Sequence, residues 1–173
     1  MSSLSKKICL IGNFNVGKTS LIRRFVENKF SDTYLTTIGV KISRKPVTLK
    51  ELDKEVTFVI WDIEGKTKEQ AISTTYLEGA AGAIIVGDLT RVETLKDINQ
   101  HIQSFLQVNP QSYVVVALNK SDLIVQNKLS KLTESFNFQN HEQVLANYVT
   151  SAKTGEFVDI MFHQLAIKLA SKG

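Results

Sequence analysis

One loop motif constrains the fold of this 173-residue chain more than any other feature. Residues 12–19 read GNFNVGKT and match the pattern G-x-x-x-x-G-K-[ST]. They follow the apolar run 8–11, which is typical of a buried strand, and precede an apolar stripe at helical spacing that includes Leu21, Ile22 and Phe25. A loop between a strand and a helix N-terminus can bind phosphate, because its N–H groups and the helix dipole both favour an anion.

Two side chains of this phosphate loop (residues 12–19) have the chemistry that a bound nucleotide requires. Lys18 is predicted to reach the β- and γ-phosphates, and the Thr19 hydroxyl is predicted to ligate Mg²⁺. The alternative is a glycine-containing turn with a solvated lysine, and the order of strand, loop and helix argues against it. The loop by itself leaves ATPases, GTPases and nucleoside kinases open.

The remainder of the chain alternates apolar runs with helical patterns, which predicts an α/β fold with a mostly parallel sheet covered on both faces. Residues 40–49 and 56–61 are rich in β-branched residues and are predicted to pair as an antiparallel hairpin. Further strands are predicted at 83–86, 114–118 and 148–150, and helices at 93–108 and over the closing segment from 158 to 169. Residues 126–143 are rich in Asn, Gln and Ser and give no clear prediction. No linker divides the chain, so we expect one domain over residues 1–173.

A second polar motif follows the apolar run 114–118. Residues 119–122 read NKSD, and at the carboxyl end of a parallel strand such a turn lines the ligand crevice. The Asp122 carboxylate could accept hydrogen bonds from the N1–H and 2-amino groups of guanine, donors that adenine lacks at those positions, so it is predicted to read the base. Residues 151–153 read SAK and follow another predicted strand, where backbone N–H groups could contact the guanine O6 atom.

The amino-acid composition limits the classes of partner that we expect for this protein. The 21 Lys and Arg residues exceed the 17 Asp and Glu residues by four, which allows an anionic ligand but falls far short of a nucleic-acid-binding tail. The single cysteine, Cys9, rules out an intramolecular disulfide and fits a reducing compartment, so we expect a cytoplasmic protein. The longest apolar runs are strand-sized and too short to span a bilayer. We expect a monomer with no nucleic-acid partner.

Five features, taken in order along the chain, resemble the motifs of the Ras superfamily of small GTPases: the phosphate loop, Thr37, the DIEG segment at 62–65, NKSD and SAK. Residues 34–40 and the pair Trp61-Asp62 are most similar to the Rab branch. The resemblance covers nearly the whole chain. It implies a P-loop G domain with a six-stranded, mostly parallel sheet, one antiparallel edge strand and about five helices.

The resemblance also implies a molecular switch that binds GTP or GDP with Mg²⁺ and hydrolyses GTP. Effector proteins would bind a surface formed by residues around 32–45 and 63–78, and an exchange factor and an activating protein would be further partners. Rab-like proteins are usually prenylated at C-terminal cysteines, and this sequence has none there, so we expect that membrane attachment is not encoded in this chain.

Specific roles follow from the resemblance for single positions. Phe30 would stack on guanine, Thr37 would contact Mg²⁺ and the γ-phosphate, and Asp62 would hold Mg²⁺ through water. Asn119 would brace the phosphate loop, while the stem of Lys120 would cover the base. Without the other motifs, the plainer interpretations are favoured: Phe30 as a core residue, Thr37 as a turn residue and Asp62 as a strand-end carboxylate.

The complete set of implied positions is larger. The implied nucleotide contacts are Asn15, Val16, Gly17, Lys18, Thr19, Ser20, Phe30, Tyr34, Thr37, Gly65, Asn119, Lys120, Asp122, Ser151, Ala152 and Lys153. The implied metal ligands are Thr19, Thr37 and Asp62, and the implied catalytic positions are Lys18, Thr37, Gly65 and Lys66.

Three positions depart from the family pattern. Lys66 follows Gly65 where the family usually has a glutamine that orients the attacking water, and a lysine has no acceptor for that water. Glu64 replaces the usual alanine and is expected to place a carboxylate near the γ-phosphate and metal. Phe14 replaces a small residue and would crowd the place where an activating protein inserts an arginine.

These departures indicate intact GTP binding with slow hydrolysis that resists the usual activators. Two alternatives stay open: Lys66 could supply positive charge to the transition state, or nucleotide exchange alone could regulate the protein. A non-hydrolysing, GTP-loaded scaffold is the alternative from another functional class.

Overall fold

A computed structural model describes residues 1–33, 37–65 and 72–172 of the chain. Its strands are β1 (Ser2–Gly12), β2 (Val40–Leu49), β3 (Lys54–Ile63), β4 (Gly82–Asp88), β5 (Tyr113–Asn119) and β6 (Val144–Val149). Its helices are α1 (Lys18–Glu27), α2 (Thr74–Leu77), α3 (Val92–Lys96), α4 (Ile98–Val108), α5 (Gln126–Ser135) and α6 (Val158–Lys172).

The six strands form one sheet in the order β2-β3-β1-β4-β5-β6. All neighbouring pairs are parallel except β2 and β3, which run antiparallel at the edge. The central strands β4 and β5 are continuous apolar runs because both of their faces are covered, whereas β2 carries Lys41, Arg44 and Lys45 along an exposed edge. The predicted mostly parallel sheet with an antiparallel edge strand is confirmed.

Helices cover both faces of the sheet and create two apolar layers. On one face, the Phe25 ring of α1 stacks on the Phe162 ring of α6 with 3.9 Å between ring centroids, above Phe58 of β3. On the other face, α4 buries Ile102 and Phe105 against the central strands. Both layers stop at the carboxyl ends of the parallel strands, where the polar motifs of the sequence begin.

The structure differs from the predicted elements at several places, among them the last strand, β6, which spans Val144–Val149 instead of 148–150. The helix predicted over 93–108 is divided at Asp97, which ends α3 and begins α4, and whose carboxylate accepts a hydrogen bond from Asn13 at 2.7 Å. Strand β1 starts at Ser2 instead of residue 8, because backbone pairing with β3 carries its polar half into the sheet. The segment 126–143, which gave no prediction, contains α5. No helix within the described residues is long and apolar enough to cross a bilayer.

The free cysteine gives a direct test of the packing of β1. Cys9 is fully buried, and burial raises the pKa of its thiol to about 12. Because the thiolate is the reactive form, we expect the folded protein to resist iodoacetamide at pH 8, whereas the unfolded protein reacts at one site. Mass spectrometry measures both, and stoichiometric labelling of the folded protein would contradict this packing.

Candidate nucleotide-binding site

A cavity of about 370 Å³ opens at the carboxyl ends of the parallel strands. Most of the predicted nucleotide contacts line it: Asn15, Gly17, Lys18, Thr19, Ser20, Phe30, Thr37, Gly65, Asn119, Lys120, Asp122, Ala152 and Lys153. Val16 and Ser151 are buried beside the cavity and do not line it. Tyr34 and Lys66 lie outside the described residues. The topology thus gathers motifs that are more than 100 residues apart in sequence.

The phosphate loop is held by its carbonyl groups. Three consecutive carbonyl oxygens, those of Phe14, Asn15 and Val16, accept hydrogen bonds from Arg91 (2.6 Å), Lys120 (2.9 Å) and Asn119 (3.0 Å), respectively. A trans peptide points its C=O and N–H groups in opposite directions, so the N–H groups of these peptides face away from the three donors. Outward carbonyls and inward N–H groups are the arrangement that a phosphate requires.

At two glycines in this region, neighbouring atoms lie too close to the backbone to leave room for a side chain. Gly17 has a φ of 102°, and a Cβ atom there would lie 2.3 Å from Nδ2 of Asn119. A Cβ atom on Gly65 would lie 2.6 Å from the backbone of Phe14. The Asn119 amide is held by its hydrogen bond to the Val16 carbonyl and the Phe14 neighbour is backbone, so side chains at these two glycine positions would distort the loop.

Lys18 lies buried under the phosphate loop. Its Nζ atom donates to the carbonyl oxygens of Gly12 at 3.0 Å and Asn13 at 3.1 Å. Burial lowers the pKa of Lys18 to about 8, with the charge of Asp62 opposing that shift. A buried ammonium group beside inward N–H groups gives this end of the cavity a positive potential.

Three oxygen-bearing side chains converge next to Lys18. The hydroxyl of Thr19 lies 2.7 Å from the hydroxyl of Thr37 and donates to Oδ2 of Asp62 at 2.5 Å, while the Thr37 hydroxyl lies 3.2 Å from the same carboxylate oxygen. The second carboxylate oxygen of Asp62, Oδ1, is buried and has no hydrogen-bond partner among the described residues. Burial raises the pKa of Asp62, and the hydrogen bonds from the two threonines oppose that shift. Two hydroxyls and an unsatisfied carboxylate fit a hard divalent cation such as Mg²⁺.

Glu64 contacts the chain next to Thr37. Its Oε2 atom accepts a hydrogen bond from the Gly39 N–H at 3.2 Å, and its own backbone N–H donates to the Gly39 carbonyl at 2.8 Å. Glu64 does not line the cavity. The sequence predicts this carboxylate near the γ-phosphate and metal, and in the structure its Oε2 atom lies against the backbone two residues after Thr37.

At the other end of the cavity, the NKSD and SAK motifs meet. Asp122 accepts a hydrogen bond from the Ser151 hydroxyl at 2.7 Å. Asn119, which is almost fully buried, accepts another from the hydroxyl of Thr150 at 3.1 Å. Phe30 lines the same end and packs against the buried apolar layer at its edge. The two motifs therefore form one structural unit, connected by side-chain hydrogen bonds.

Sequence reasoning missed two residues that support the phosphate loop near Phe14 and Asn15, namely Asp88 and Arg91. The buried Asp88 lies within 2.9 Å of Lys120 and 3.1 Å of Arg91. Burial by itself would raise the pKa of Asp88, but hydrogen bonds from Thr90 and Lys120 outweigh it and hold that pKa below its ordinary value. Asp88 ends an apolar strand as Asn119 does, so the strand-end rule could have found it.

His101 also contacts this loop. The sequence treats it as an ordinary helix residue, but its Nε2 atom lies 2.7 Å from Oδ1 of Asn13, whose amide group donates to Asp97. Burial lowers the pKa of His101, with Asp97 opposing, so the ring is neutral near pH 7. No local sequence signal marks this contact, because α4 reaches the loop only through the fold.

Comparison with known proteins agrees with this geometry. The model of the Ras family matches residues 7–171. The chain belongs to the Ras family. The Ras-related protein Rab-4A of Danio rerio is 33% identical over 167 residues, which are 96% of this chain and 76% of that protein. The Ras-related proteins Rab5 of Nicotiana tabacum and RABF2b of Arabidopsis thaliana are 33% and 34% identical, and the match covers 82% of each.

Membership of the Ras family confirms the predicted resemblance and decides among the nucleotide-dependent classes that the phosphate loop left open. The protein is a small GTPase and acts as a molecular switch. Guanine nucleotides are therefore its ligands, and effectors, exchange factors and activating proteins are its partners in general terms.

The hydrogen bond from Ser151 to Asp122 gives a testable feature of the base end. Replacing Ser151 with Ala removes a donor to a charged group, which should weaken GDP binding about tenfold, or about 1.4 kcal/mol. Ser130→Ala is a matched control, since its hydroxyl bonds only its own helix at Gln126. Fluorescence titration with a labelled GDP checks both variants. Equal affinities in the two would show that the Ser151 hydroxyl does not support base recognition.

Proposed function

We propose that this GTPase binds GTP and GDP together with Mg²⁺ and hydrolyses GTP slowly. The observation that carries the proposal is the convergence of Thr37 with Thr19 and Asp62 beside Lys18. Thr37 belongs to a segment that precedes β2, whereas the other residues belong to the strand ends and the phosphate loop. A contact from Thr37 to the metal and the γ-phosphate would therefore couple the nucleotide state to the shape of the outer surface.

The residues that would hold the cation are Thr19, Thr37 and Asp62. When bound there, Mg²⁺ neutralises negative charge on the β- and γ-phosphates. Lys18 would add a second positive charge from beneath the loop. The unsatisfied Oδ1 atom of Asp62 supports this assignment, because a buried carboxylate oxygen without a donor is costly unless a cation or its water compensates it.

Slow hydrolysis is proposed from the positions that depart from the family pattern. Hydrolysis requires in-line attack of water on the γ-phosphate, and Lys66 offers no acceptor to orient that water. Phe14 lines the cavity with half of its surface exposed, so its ring competes for the space that an inserted arginine would occupy. Arg91 binds the carbonyl of the same residue and holds the backbone of Phe14 in place.

Partner proteins would bind the surface next to Thr37. Ile38 is 86% exposed and Ile42 on β2 is 49% exposed, so this surface presents apolar side chains to solvent. Apolar residues beside a nucleotide-dependent segment suit an effector surface, because nucleotide exchange would alter what the partner contacts.

A GTP-loaded scaffold is the second candidate, favoured by the contact between Glu64 and Gly39. These two hydrogen bonds involve no nucleotide atom, so the position of Thr37 does not depend on the γ-phosphate alone. Nucleotide content after purification separates the candidates. GTP that persists for many hours supports the scaffold, and bound GDP supports the switch.

Removal of Mg²⁺ tests the proposed metal site. We expect EDTA to accelerate the release of labelled GDP from the wild type by about tenfold or more, equivalent to at least about 1.4 kcal/mol of binding energy. In Asp62→Ala the same addition should change the rate much less, because the carboxylate that holds the cation is gone. Stopped-flow fluorescence measures both rates. A wild-type rate that EDTA leaves unchanged would contradict Mg²⁺ dependence.

Single-turnover hydrolysis of GTP tests the role of Lys66. Lys66→Gln restores a group that can both accept from and donate to water, so we expect the rate to rise about tenfold, or about 1.4 kcal/mol of transition-state stabilisation. Lys68→Gln makes the same change two residues further on and should leave the rate unaltered. A marked loss in Lys66→Gln would instead indicate that the lysine charge assists the reaction.

A further inference from the structure

Arg24 on α1 connects two parts of the cavity that are remote in sequence. Its Nε atom donates to the carbonyl of Ala152 at 2.9 Å, and its Nη2 atom donates to the carbonyl of Lys153 at 2.6 Å. One planar guanidinium group therefore holds two consecutive carbonyls of the base loop, defined here as residues 151–155. Lysine could not reproduce this geometry, because its ammonium group is a single point donor on a flexible stem.

The same side chain holds the end of α1. Its Nη1 atom donates to the side-chain oxygen of Asn28 at 3.0 Å, and the Asn28 N–H donates back to the Arg24 carbonyl at 2.9 Å. Asn28 ends the helix with a φ of 54°, and the chain then leads to Phe30, which lines the cavity. Arg24 thus lies between the base loop and the segment that carries Phe30.

The carbonyl contacts fix the direction of the N–H groups in the base loop. The Ala152 carbonyl points to Arg24, so the Lys153 N–H in the same trans peptide points away from it. The next N–H, that of Thr154, is already used by the Ser151 hydroxyl at 3.1 Å, and the Gly155 N–H is used by the Ser151 carbonyl at 2.8 Å. Because Ala152 and Lys153 line the cavity, the Lys153 N–H is available to a ligand there.

We propose that Arg24 is a positioning residue for base recognition, which sets the peptide between Ala152 and Lys153 so that its N–H group meets the O6 atom of guanine. This inference rests on the proposed binding of guanine nucleotides. Arg24 does not line the cavity and acts through the backbone that it holds. Since α1 begins at Lys18 in the phosphate loop, the helix that positions the phosphates also sets the base loop.

Three nucleotides separate this role from a general effect on stability. GDP carries O6, the N1–H and the 2-amino group. Inosine diphosphate lacks only the 2-amino group assigned to Asp122, whereas 2-aminopurine riboside diphosphate keeps that group and lacks O6 together with the N1–H. In Arg24→Ala we expect about tenfold weaker GDP binding, equivalent to the loss of about 1.4 kcal/mol. The preference for GDP over the 2-aminopurine nucleotide should fall by the same factor, while the preference over inosine diphosphate stays unchanged.

The neighbouring arginine provides the matched control. Arg23 lies on the same helix, and its Nε atom is 3.6 Å from Oε2 of Glu27, one helical turn further on, in a partly exposed ion pair. Arg23→Ala should leave both nucleotide preferences at their wild-type values. Arg24→Lys keeps the positive charge but loses the two-pronged guanidinium group, so its preference for GDP over the 2-aminopurine nucleotide should fall by a smaller factor. This variant provides the test if Arg24→Ala does not fold.

Isothermal titration of the full chain with each nucleotide measures these preferences. The inference is overturned if Arg24→Lys and Arg24→Ala lose affinity for all three nucleotides by one common factor, or if they match Arg23→Ala. Failure of the wild type to bind GDP would instead overturn the proposed function, and with it the inference.

Discussion

The site depends on hydrogen bonds that side chains from other parts of the fold donate to the backbone carbonyls of its loops. In the phosphate loop, Arg91, Lys120 and Asn119 bind three consecutive carbonyls. Asn119 and Lys120 are adjacent at the end of β5, and Arg91 follows the end of β4. Only Val16 of this loop is buried in the core, so these donors add rigidity that core packing alone does not give the loop. They also set the N–H groups on the opposite side, where an anion gains from them.

The same principle operates at the base end. Arg24 binds the carbonyls of Ala152 and Lys153 from α1, while Ser151 satisfies N–H groups inside the loop. Under the proposed function, phosphate and base recognition would not be independent, because α1 begins in one loop and holds the other. A guanine nucleotide that spans the cavity would contact the backbone of the phosphate loop and that of the base loop, and α1 connects these two loops.

The contact between Glu64 and Gly39 adds a second coupling, between the two segments that flank the metal site. A side chain at this position holds the backbone beside Thr37, so the shape of the outer surface has a contribution from the protein as well as from the nucleotide. Glu64 therefore has a structural role that its sequence position does not indicate, since its Oε2 atom contacts the backbone of Gly39.

The amino-acid sequence determined the parallel sheet, the order of its motifs and the class of ligand. Local signals suffice there: apolar runs such as 114–118 mark buried strands, and the residues that follow them lie at one edge of the sheet. Only the tertiary structure decided which donors hold the loops, including Arg24, Arg91 and His101. These residues look like ordinary helix or turn residues in sequence, because each hydrogen bond spans about 80 to 130 positions and forms only when packing brings the elements together.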